Sequence, residues 1–388
     1  MKFIDIFIII LLIILIYIST FNKRWENPEI RFFIIKANKF INEVYTKKNA
    51  DKKNPIKPPK GFEWSLIDVN NIEEAYELRR FINKNYLSGG KYLCNNSINM
   101  LQKSLSERKQ LALRYSENKN IVGFIGRIPF KVQIYDKLVD SVEISYFSLH
   151  KHVRDNNFAP LLIREVTRIT LEETQNRGLA IFVTSFEIPK YNKLLNFNTY
   201  FRPLNYKLLN NLNILPLTYR YDDISEYKFN FKVFPLKEEE IKECCDLYSN
   251  YQKKNYDIYY SFNYDSFKLF FYEHDEIKSF VVKDNNNNIT DFFAVGLCTY
   301  NSKWNNLKYA KILAYCNTSL KIEVLINALI YECFNMNLQY LISSGFGAID
   351  NFADKCGFIL QSLSGRLYLY NWLATPTKKN RIFINFNG

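Results

Sequence analysis

The chain has 388 residues, 47% of them hydrophobic and 16% aromatic, and carries a formal net charge of +13. This composition excludes a disordered chain, and the length allows one large or two medium-sized domains with a substantial core. The positive charge indicates anionic partners such as phosphorylated cofactors. No nucleic-acid-binding motif accompanies the charge, so nucleic acid is not expected as a partner.

The cysteines and histidines indicate whether disulfides or a metal site are expected. The chain contains 7 Cys, with no C-x-x-C pair, and 3 His. This usage indicates reduced thiols and argues against zinc. His150 and His152 form an H-x-H pair that could ligate a metal, but two polar residues on one strand face explain the pair more simply. No metal site is therefore predicted.

The N-terminal residues 1–22 form an apolar run relieved by Asp5 near its start. Its length is close to the ~20 residues that span a bilayer, and no small-residue cleavage site follows it. We therefore predict an uncleaved transmembrane helix; a buried core helix is the alternative. Lys23, Arg24 and Arg31 follow the run, whereas only Lys2 precedes it. The positive-inside rule then predicts a membrane-anchored protein whose catalytic domain faces the cytosol.

Helical and strand patterns alternate after a basic, proline-containing linker that ends at residue 60. The first set comprises helices at 71–85 and 96–106, strands at 121–132 (broken at Pro129) and 139–149, a helix at 159–178 and a strand at 179–185. The second set comprises a hairpin at 279–283 and 289–298, a strand at 309–317, a helix at 322–334, a strand at 338–343, a short helix at 349–356 and a strand at 367–372. Residues 196–227 are the predicted crossover between the two sets. This order is typical of acetyltransferase-like acyl-CoA domains, so we predict an α/β (α+β) fold in which the unit recurs.

Residues 141–178 are the most informative stretch. A strand pattern ends at Leu149, a polar turn follows, and a helical pattern begins near Ala159 and Pro160. Proline is favoured in a first helical turn. Because a helix N-terminus presents unpaired N–H groups and the positive end of the helix dipole, this strand–turn–helix unit can bind an anion. An ordinary connection between a strand and a helix is the alternative.

The same stretch resembles the central block of the N-myristoyltransferase family, which reads roughly E-[IL]-N-F-L-C-V-H-K-x-L-R-S-K-R-x-A-P-V-L-I-x-E-[VI]-T-R; it runs here from Glu143 to Arg168. Further family-like segments follow the same order along the chain: P-P-K-G-F-E-W at 58–64, L-R-R-F-I-N-K-N-Y at 78–86, V-G-F-I at 122–125, F-R-P-L-N at 201–205, T-D-F at 290–292 and L-Y-L-Y-N-W at 367–372. The resemblance covers nearly the whole chain after the predicted anchor. The family fold, two tandem acetyltransferase-like (GNAT) halves with a pseudo-twofold repeat, agrees with the recurring unit.

The resemblance implies transfer of a tetradecanoyl (myristoyl) group from its CoA thioester to the N-terminal glycine amine of proteins. Tetradecanoyl-CoA would be a co-substrate, and no permanently bound cofactor is expected. The implied partners are acyl-CoA, the N-terminal glycine of substrate proteins and, through the anchor, a membrane; a monomer is expected. The implied division is an anchor (1–22), an acyl-CoA-contacting segment with a basic linker (23–60), an acyl-CoA-binding half (61–210) and a peptide-binding half with the catalytic C-terminus (211–388).

The resemblance also implies roles for individual residues. The backbone N–H groups of Tyr146 and Phe147 would stabilise the oxyanion, Thr184 would orient the amine, and the C-terminal carboxylate of Gly388 would be the base. Acyl-CoA contacts are implied for Arg24, Trp25, Tyr146, Phe147, Ser148, Leu149, Arg154, Asp155, Asn156, Asn157, Phe158 and Ala159. Peptide contacts are implied for Tyr86, Asn205 and Tyr368.

The sequence departs from the family pattern in places that bear on binding. R-S-K-R of the phosphate turn is replaced by residues 154–157 (R-D-N-N), which loses two cations. Each lost charge-assisted contact could cost about 1.5–3 kcal/mol, so weaker acyl-CoA binding is expected unless Lys151 compensates. An acidic stretch that reads basic peptide residues is replaced by residues 88–91 (S-G-G-K), which predicts less demand for lysine in the peptide. A catalytically degenerate binder of acyl-CoA or acylated peptide, and an N-acyltransferase of different chain length, remain alternatives.

Overall fold

The structure is a computed structural model. It describes residues 43–44, 54–86, 93–94, 96–154, 156–174, 179–185, 187–188, 193–215, 222–301, 306–374 and 377–384. The predicted anchor and the predicted site residues Arg24, Trp25, Asp155 and Gly388 lie outside these ranges.

The described residues form a mixed α/β fold dominated by one sheet. The helices are α1 (Ile72–Asn85), α2 (Ile98–Leu105), α3 (Phe158–Glu173), α4 (Tyr206–Asn211), α5 (Ile241–Asn255), α6 (Tyr264–Phe271), α7 (Ile322–Asn335) and α8 (Ile349–Phe352). The strands are β1 (Glu43–Val44), β2 (Phe62–Ile67), β3 (Leu93–Cys94), β4 (Gln110–Tyr115), β5 (Ile121–Ile134), β6 (Lys137–Leu149), β7 (Leu179–Thr184), β8 (Lys193–Pro203), β9 (Val233–Pro235), β10 (Ile258–Ser261), β11 (Ile277–Lys283), β12 (Ile289–Asn301), β13 (Asn306–Asn317), β14 (Tyr340–Ser344), β15 (Ile359–Tyr370), β16 (Trp372–Leu373) and β17 (Ile382–Phe383).

The sheet runs in the order β17-β10-β5-β6-β7-β15-β8-β14-β13-β12-β11-β9. Off this order, β4 also pairs with β5, and β2 pairs with β4. Helix α1 begins where the sequence predicts, because the Asn71 side chain accepts hydrogen bonds from the N–H groups of Glu73 and Glu74. Helices α1 and α2 cover one face of β4–β6 with Leu78, Ile82 and other fully buried side chains, and α3 covers the opposite face.

One connectivity occurs twice in the described chain. Strands β5 and β6 form an antiparallel hairpin, α3 follows, and β7 returns parallel to β6. Strands β12 and β13 form a second hairpin, α7 follows, and β14 returns parallel to β13. The predicted recurrence of a hairpin–helix–strand unit is therefore present in the order and pairing of these elements.

One prediction about this region is wrong. Strand β5 is not broken at Pro129, which pairs with Val142 of β6. On the other edge of β5, Pro129 lies between the part that pairs with β4 and the part that pairs with β10, so its missing N–H removes no ladder bond there. The predicted crossover at 196–227 contains most of β8, which pairs with both β14 and β15 inside the sheet. The polar residues of the 196–227 segment do not show a strand pattern, and the pairing partners of β8 are distant in sequence.

The membrane-anchored localisation predicted from residues 1–22 is corrected. Within the ranges that the structure describes, no helix is long and apolar enough to cross a membrane, and the apolar run itself lies outside those ranges.

Candidate functional site

A cleft opens between β6 and β7. The two strands pair in parallel only through Ser141–Glu143 and Leu179–Ile181. Beyond these three residue pairs β6 continues to Leu149 and β7 continues to Thr184 without a shared ladder. Because the two strands share no ladder beyond these pairs, they leave a wedge-shaped opening between them. Its vertex lies at Glu143 and Ile181.

The β6 arm of this cleft carries a β-bulge. Ser145 is opposite Gly126 and Ser148 is opposite Phe124, so two residues of β6, Tyr146 and Phe147, face one residue of β5. Tyr146 has a φ of 53°, a left-handed backbone conformation that is uncommon for a bulky residue. Bulges of this kind redirect backbone groups and occur next to active sites. The sequence-predicted oxyanion donors therefore occupy the irregular position of the strand.

Side chains around the bulge fix its geometry. The Tyr146 ring is buried, with 1% of its surface exposed, and lies 5.6 Å from the ring of Tyr86, the residue that follows α1. A Cβ atom added to Gly126 would lie 3.2 Å from both the Tyr146 ring and the Ser145 carbonyl, so the glycine gives the bulge room. Phe147 is instead 41% exposed. The Ser148 hydroxyl donates to the Tyr146 carbonyl at 3.0 Å and closes the bulge.

The turn after β6 leads into the N-terminus of α3. A short 3₁₀ turn spans Lys151–Val153, and Asn157 precedes α3 with a left-handed φ of 59° and without a side-chain cap hydrogen bond. The first-turn N–H groups of α3 therefore receive no hydrogen bond acceptor from this N-cap side chain. Phe158 anchors the helix start by packing against Phe62, with ring centroids 4.7 Å apart. The arrangement agrees with the anion site that the sequence predicts.

Positive and titratable side chains gather beside this turn. The His150 and His152 rings meet edge to face with centroids 4.8 Å apart. Burial lowers the pKa of His150, and neighbouring positive charges lower it further. These charges belong to His152, Lys84, Lys151 and Arg154. Lys84 lies in the last turn of α1, so two separate elements build the cluster.

Arg154 is tied to the backbone around it. Its Nε donates to the Leu149 carbonyl at 3.0 Å, and its Nη2 donates to the Asn85 carbonyl at 3.2 Å. The guanidinium thereby joins the end of β6 to the end of α1. Sequence reasoning missed this role, and it missed Lys84 because α1 and the turn are distant in the chain.

The remaining predicted site residues fall into two groups. Thr184 lies on the β7 arm, opposite Arg366 of β15, and the buried Tyr368 stacks on Phe182 with ring centroids 5.2 Å apart. Thr184 therefore lies on the strand that borders the cleft, and Tyr368 lies on the next strand of the sheet. Asn205 does not join them: its side chain caps α4 by accepting from the Leu208 N–H at 3.0 Å. Its predicted contact with peptide stays a prediction.

The vertex of the cleft contains a buried charge that the sequence analysis missed. Glu143 is 1% exposed, and its Oε2 accepts from the Tyr260 hydroxyl at 3.0 Å. Lys311 of β13 interacts electrostatically with Glu143; desolvation lowers the pKa of Lys311, and the Glu143 charge opposes that shift. Lys311 next to the apolar run Ile312–Tyr315 of β13 was the available sequence signal.

The C-terminal segment enters the core, as its apolar sequence predicts. Ile382, Phe383 and Ile384 are 0%, 3% and 0% exposed. The first two pair in parallel with β10, and the Gly347 N–H donates to the Ile382 carbonyl at 2.8 Å. The catalytic role of Gly388 stays a prediction because that residue lies outside the described ranges.

A separate groove of about 1080 Å³ lies at the other end of β6. Ser141, at the start of the paired region, and Glu173, at the end of α3, are among the residues that line it. The groove is thus remote from the bulge and from the N-terminus of α3, and the site chemistry points to the cleft instead.

The geometry defines a mixed α/β fold of the acetyltransferase-like class, with a bulged strand, a wedge-shaped cleft and a helix N-terminus beside it. The sequence profile of the N-terminal domain of myristoyl-CoA:protein N-myristoyltransferase matches residues 41–192. The fold matches a crystal structure of Saccharomyces cerevisiae N-myristoyltransferase with bound myristoyl-CoA, with a TM-score of 0.79 and 21% identity over 89% of this chain and 90% of that one.

Curated relatives extend the similarity along the chain. Glycylpeptide N-tetradecanoyltransferase 2 of Bos taurus is 26% identical over 88% of this chain and 73% of its own length. The enzymes of Candida albicans (26% identical, 81% of this chain, 76% of their own) and Dictyostelium discoideum (27%, 88% and 85%) are similar over comparable spans. The chain therefore resembles the glycylpeptide N-tetradecanoyltransferase family over most of its length.

Proposed function

We propose that the chain is an acyltransferase that moves a tetradecanoyl group from its CoA thioester to the N-terminal glycine amine of a protein. The β-bulge at Tyr146 and Phe147 carries the proposal, since it lies on one arm of the cleft and the α3 N-terminus follows it directly. The resemblance to glycylpeptide N-tetradecanoyltransferases supplies the substrate class.

The chemistry requires two things of the site. The glycine ammonium loses a proton and its nitrogen attacks the thioester carbonyl, forming a C–N bond. The nitrogen then gives up a second proton as the amide forms, while the C–S bond breaks and the CoA thiolate leaves and takes up one proton. Negative charge develops on the carbonyl oxygen, and backbone N–H donors held in a fixed position stabilise it. The bulge is the candidate for those donors, and Thr184 on the facing arm is the candidate for orienting the amine.

The acyl-CoA phosphates are proposed to bind at the α3 N-terminus. The left-handed turn at Asn157 and the cationic residues beside it support this placement. The two hairpin–helix–strand units are proposed to be tandem halves, about 61–210 and 211–388, with acyl-CoA bound mainly by the first and peptide by the second. The repeated connectivity described above supports this division.

Steady-state turnover tests the proposal. Tetradecanoyl-CoA and peptides that begin with Gly are expected to give acylated peptide, whereas matched peptides that begin with Ala are not. A series of acyl-CoA chain lengths then defines the acyl preference, and a variant extended past Gly388 tests the predicted base. Transfer to Ala-initiated and Gly-initiated peptides at equal rates would contradict the proposal.

A non-catalytic binder of acyl-CoA is the second candidate, and one observation favours it. Arg154 donates to two backbone carbonyls, at 3.0 and 3.2 Å, so part of its hydrogen-bonding capacity is used within the protein and not on a phosphate. Tight acyl-CoA binding without turnover on any Gly-initiated peptide would support this candidate over the transferase.

A further inference from the structure

An arginine of β15 reaches the end of the β7 arm of the cleft. Arg366 is directly opposite Thr184 in the antiparallel pairing of β15 with β7. Side chains opposite each other in such a pair project from the same face of the sheet. The Arg366 Nη1 donates to the carbonyl of Ser185, the residue that follows β7, at 2.5 Å. The guanidinium therefore lies beside Thr184, the candidate for orienting the glycine amine.

Within the part of the chain that the structure describes, no carboxylate neutralises this guanidinium. Arginine has five N–H donors, and the Ser185 carbonyl is the one acceptor that the described residues offer to Arg366. The Nε of Arg366 is buried and has no hydrogen-bond partner among these residues. Glu187, the next carboxylate along the chain from Ser185, pairs instead with Lys193 at 3.2 Å. Arg366 thus keeps an unmatched positive charge at the end of the β7 arm.

Other arginines of the fold are matched differently. Each of a set of them pairs with a carboxylate: Arg114, Arg127, Arg168, Arg202 and Arg381. Arg366 is closer to Arg154, which also donates to backbone carbonyls and lies where the acyl-CoA phosphates are proposed to bind. An arginine held by a neutral carbonyl keeps its charge for an incoming anion. The two arginines therefore offer two separate places for an anion, one at the turn before α3 and one at the end of the β7 arm.

We propose that Arg366 is a specificity-determining residue that selects peptides with an aspartate or glutamate close behind the N-terminal glycine. This inference rests on the proposed function, because Thr184 must hold the glycine amine for Arg366 to face the residues that follow it. Opposite residues of an antiparallel pair lie about 5 Å apart, and an extended peptide advances about 3.3 Å per residue. The favoured carboxylate should therefore lie within about three residues of the glycine. A carboxylate there accepts hydrogen bonds from the guanidinium, whereas a lysine there is repelled by it.

A peptide panel tests this selection through the sign of the charge. Matched Gly-initiated peptides carry Asp, Asn or Lys at successive positions after the glycine, and kcat/KM is measured for each peptide. At a position close to the glycine, the value for Asp is expected to exceed that for Asn by about five- to tenfold, with Lys below Asn. In Arg366→Gln the Asp and Asn peptides are expected to become equal, and Arg366→Glu is expected to favour Lys over Asp. A loss of stability alone does not reverse the preferred charge.

Lys278→Gln is the matched control, since Lys278 is an exposed lysine on the distant strand β11, and this variant should keep the preference for Asp. Urea unfolding and the Kd for tetradecanoyl-CoA establish that each variant is folded and binds the co-substrate. Equal kcat/KM for the Asp and Asn peptides at every position in the unaltered protein would overturn the proposal. A preference for Asp that persists in folded Arg366→Gln would overturn it as well. If the unaltered protein transfers no acyl group, the proposed function fails, and the affinity of its tetradecanoyl-CoA complex for the same peptides, measured by calorimetry, decides the selection.

Discussion

Reversing the charge of Lys84 should weaken acyl-CoA binding through its phosphates. Lys84 is exposed in the last turn of α1 and precedes Asn85, whose carbonyl accepts from Arg154 of the turn. The change Lys84→Glu therefore replaces a positive by a negative charge beside the α3 N-terminus. Among the described residues, Lys84, Lys151 and Arg154 form no ion pair with a carboxylate, so a bound phosphate would be their counter-charge.

The size of the effect follows from Coulomb's law. A unit charge about 8 Å from another in water-like surroundings contributes about 0.5 kcal/mol. A change of two charge units opposite a doubly charged phosphate gives about 2 kcal/mol before screening. Physiological salt, with a Debye length of about 8 Å, reduces this to about 1 kcal/mol, or roughly a fivefold rise in Kd.

Titration calorimetry with tetradecanoyl-CoA and with the corresponding pantetheine thioester, which lacks the phosphates, measures this effect. The loss of affinity should grow as salt is lowered and should be absent for the pantetheine thioester. Lys242→Glu, an exposed lysine on the distant α5, is the matched control. In the same variant the pKa of His150 should rise, because a neighbouring positive charge that lowers it is gone. An equal loss for both ligands, or a loss independent of salt, would refute the reasoning.

One further change tests the bulge, and another tests an ion pair elsewhere in the fold. In Gly126→Val, the added methyl groups meet the Tyr146 ring and the Ser145 carbonyl, which a Cβ atom alone would approach to 3.2 Å. We expect kcat to fall at least tenfold in turnover assays and the free energy of unfolding, measured with urea, to fall by about 1–3 kcal/mol. An unchanged kcat in a folded variant would contradict the role of the bulge. The variant Asp222→Asn tests how stability depends on pH. Burial would raise the pKa of Asp222, but the Tyr227 hydrogen bond and the Arg202 charge lower it overall. The carboxylate therefore stabilises the fold at pH values above the usual carboxyl pKa, and this stabilisation is lost as the pH falls through the lowered value. The variant should lose stability near neutral pH and show a shallower decline in acid, and parallel stability–pH curves for the two proteins would contradict this assignment.

The local patterns of the first unit could be predicted from the sequence because they are set by neighbours in the chain. The Asn71 cap, the α1 helix and the polar turn before α3 are all short-range features. The bulge followed from the family resemblance, which placed the oxyanion donors at Tyr146 and Phe147. The register shift between β5 and β6 explains why the donors lie at these two residues.

Long-range pairings could not be predicted in the same way. The sequence pattern does not identify β8 as a strand, since its partners β14 and β15 lie far along the chain. The electrostatic effect of Glu143 on the pKa of Lys311 joins two residues 168 positions apart in the chain, and neither residue's sequence context identifies the other. The length of the apolar run at 1–22 and its flanking charges predict an anchor, and no helix among the described residues is long and apolar enough to cross a membrane.

A single-turnover experiment tests the central claim most directly. The protein is saturated with tetradecanoyl-CoA, mixed with a Gly-initiated peptide, and the products are identified by mass spectrometry with fragmentation. The account predicts one tetradecanoyl group on the glycine α-amine and release of one CoA per acyl group transferred. Recovery of intact tetradecanoyl-CoA and unmodified peptide from a complex that binds both would contradict it.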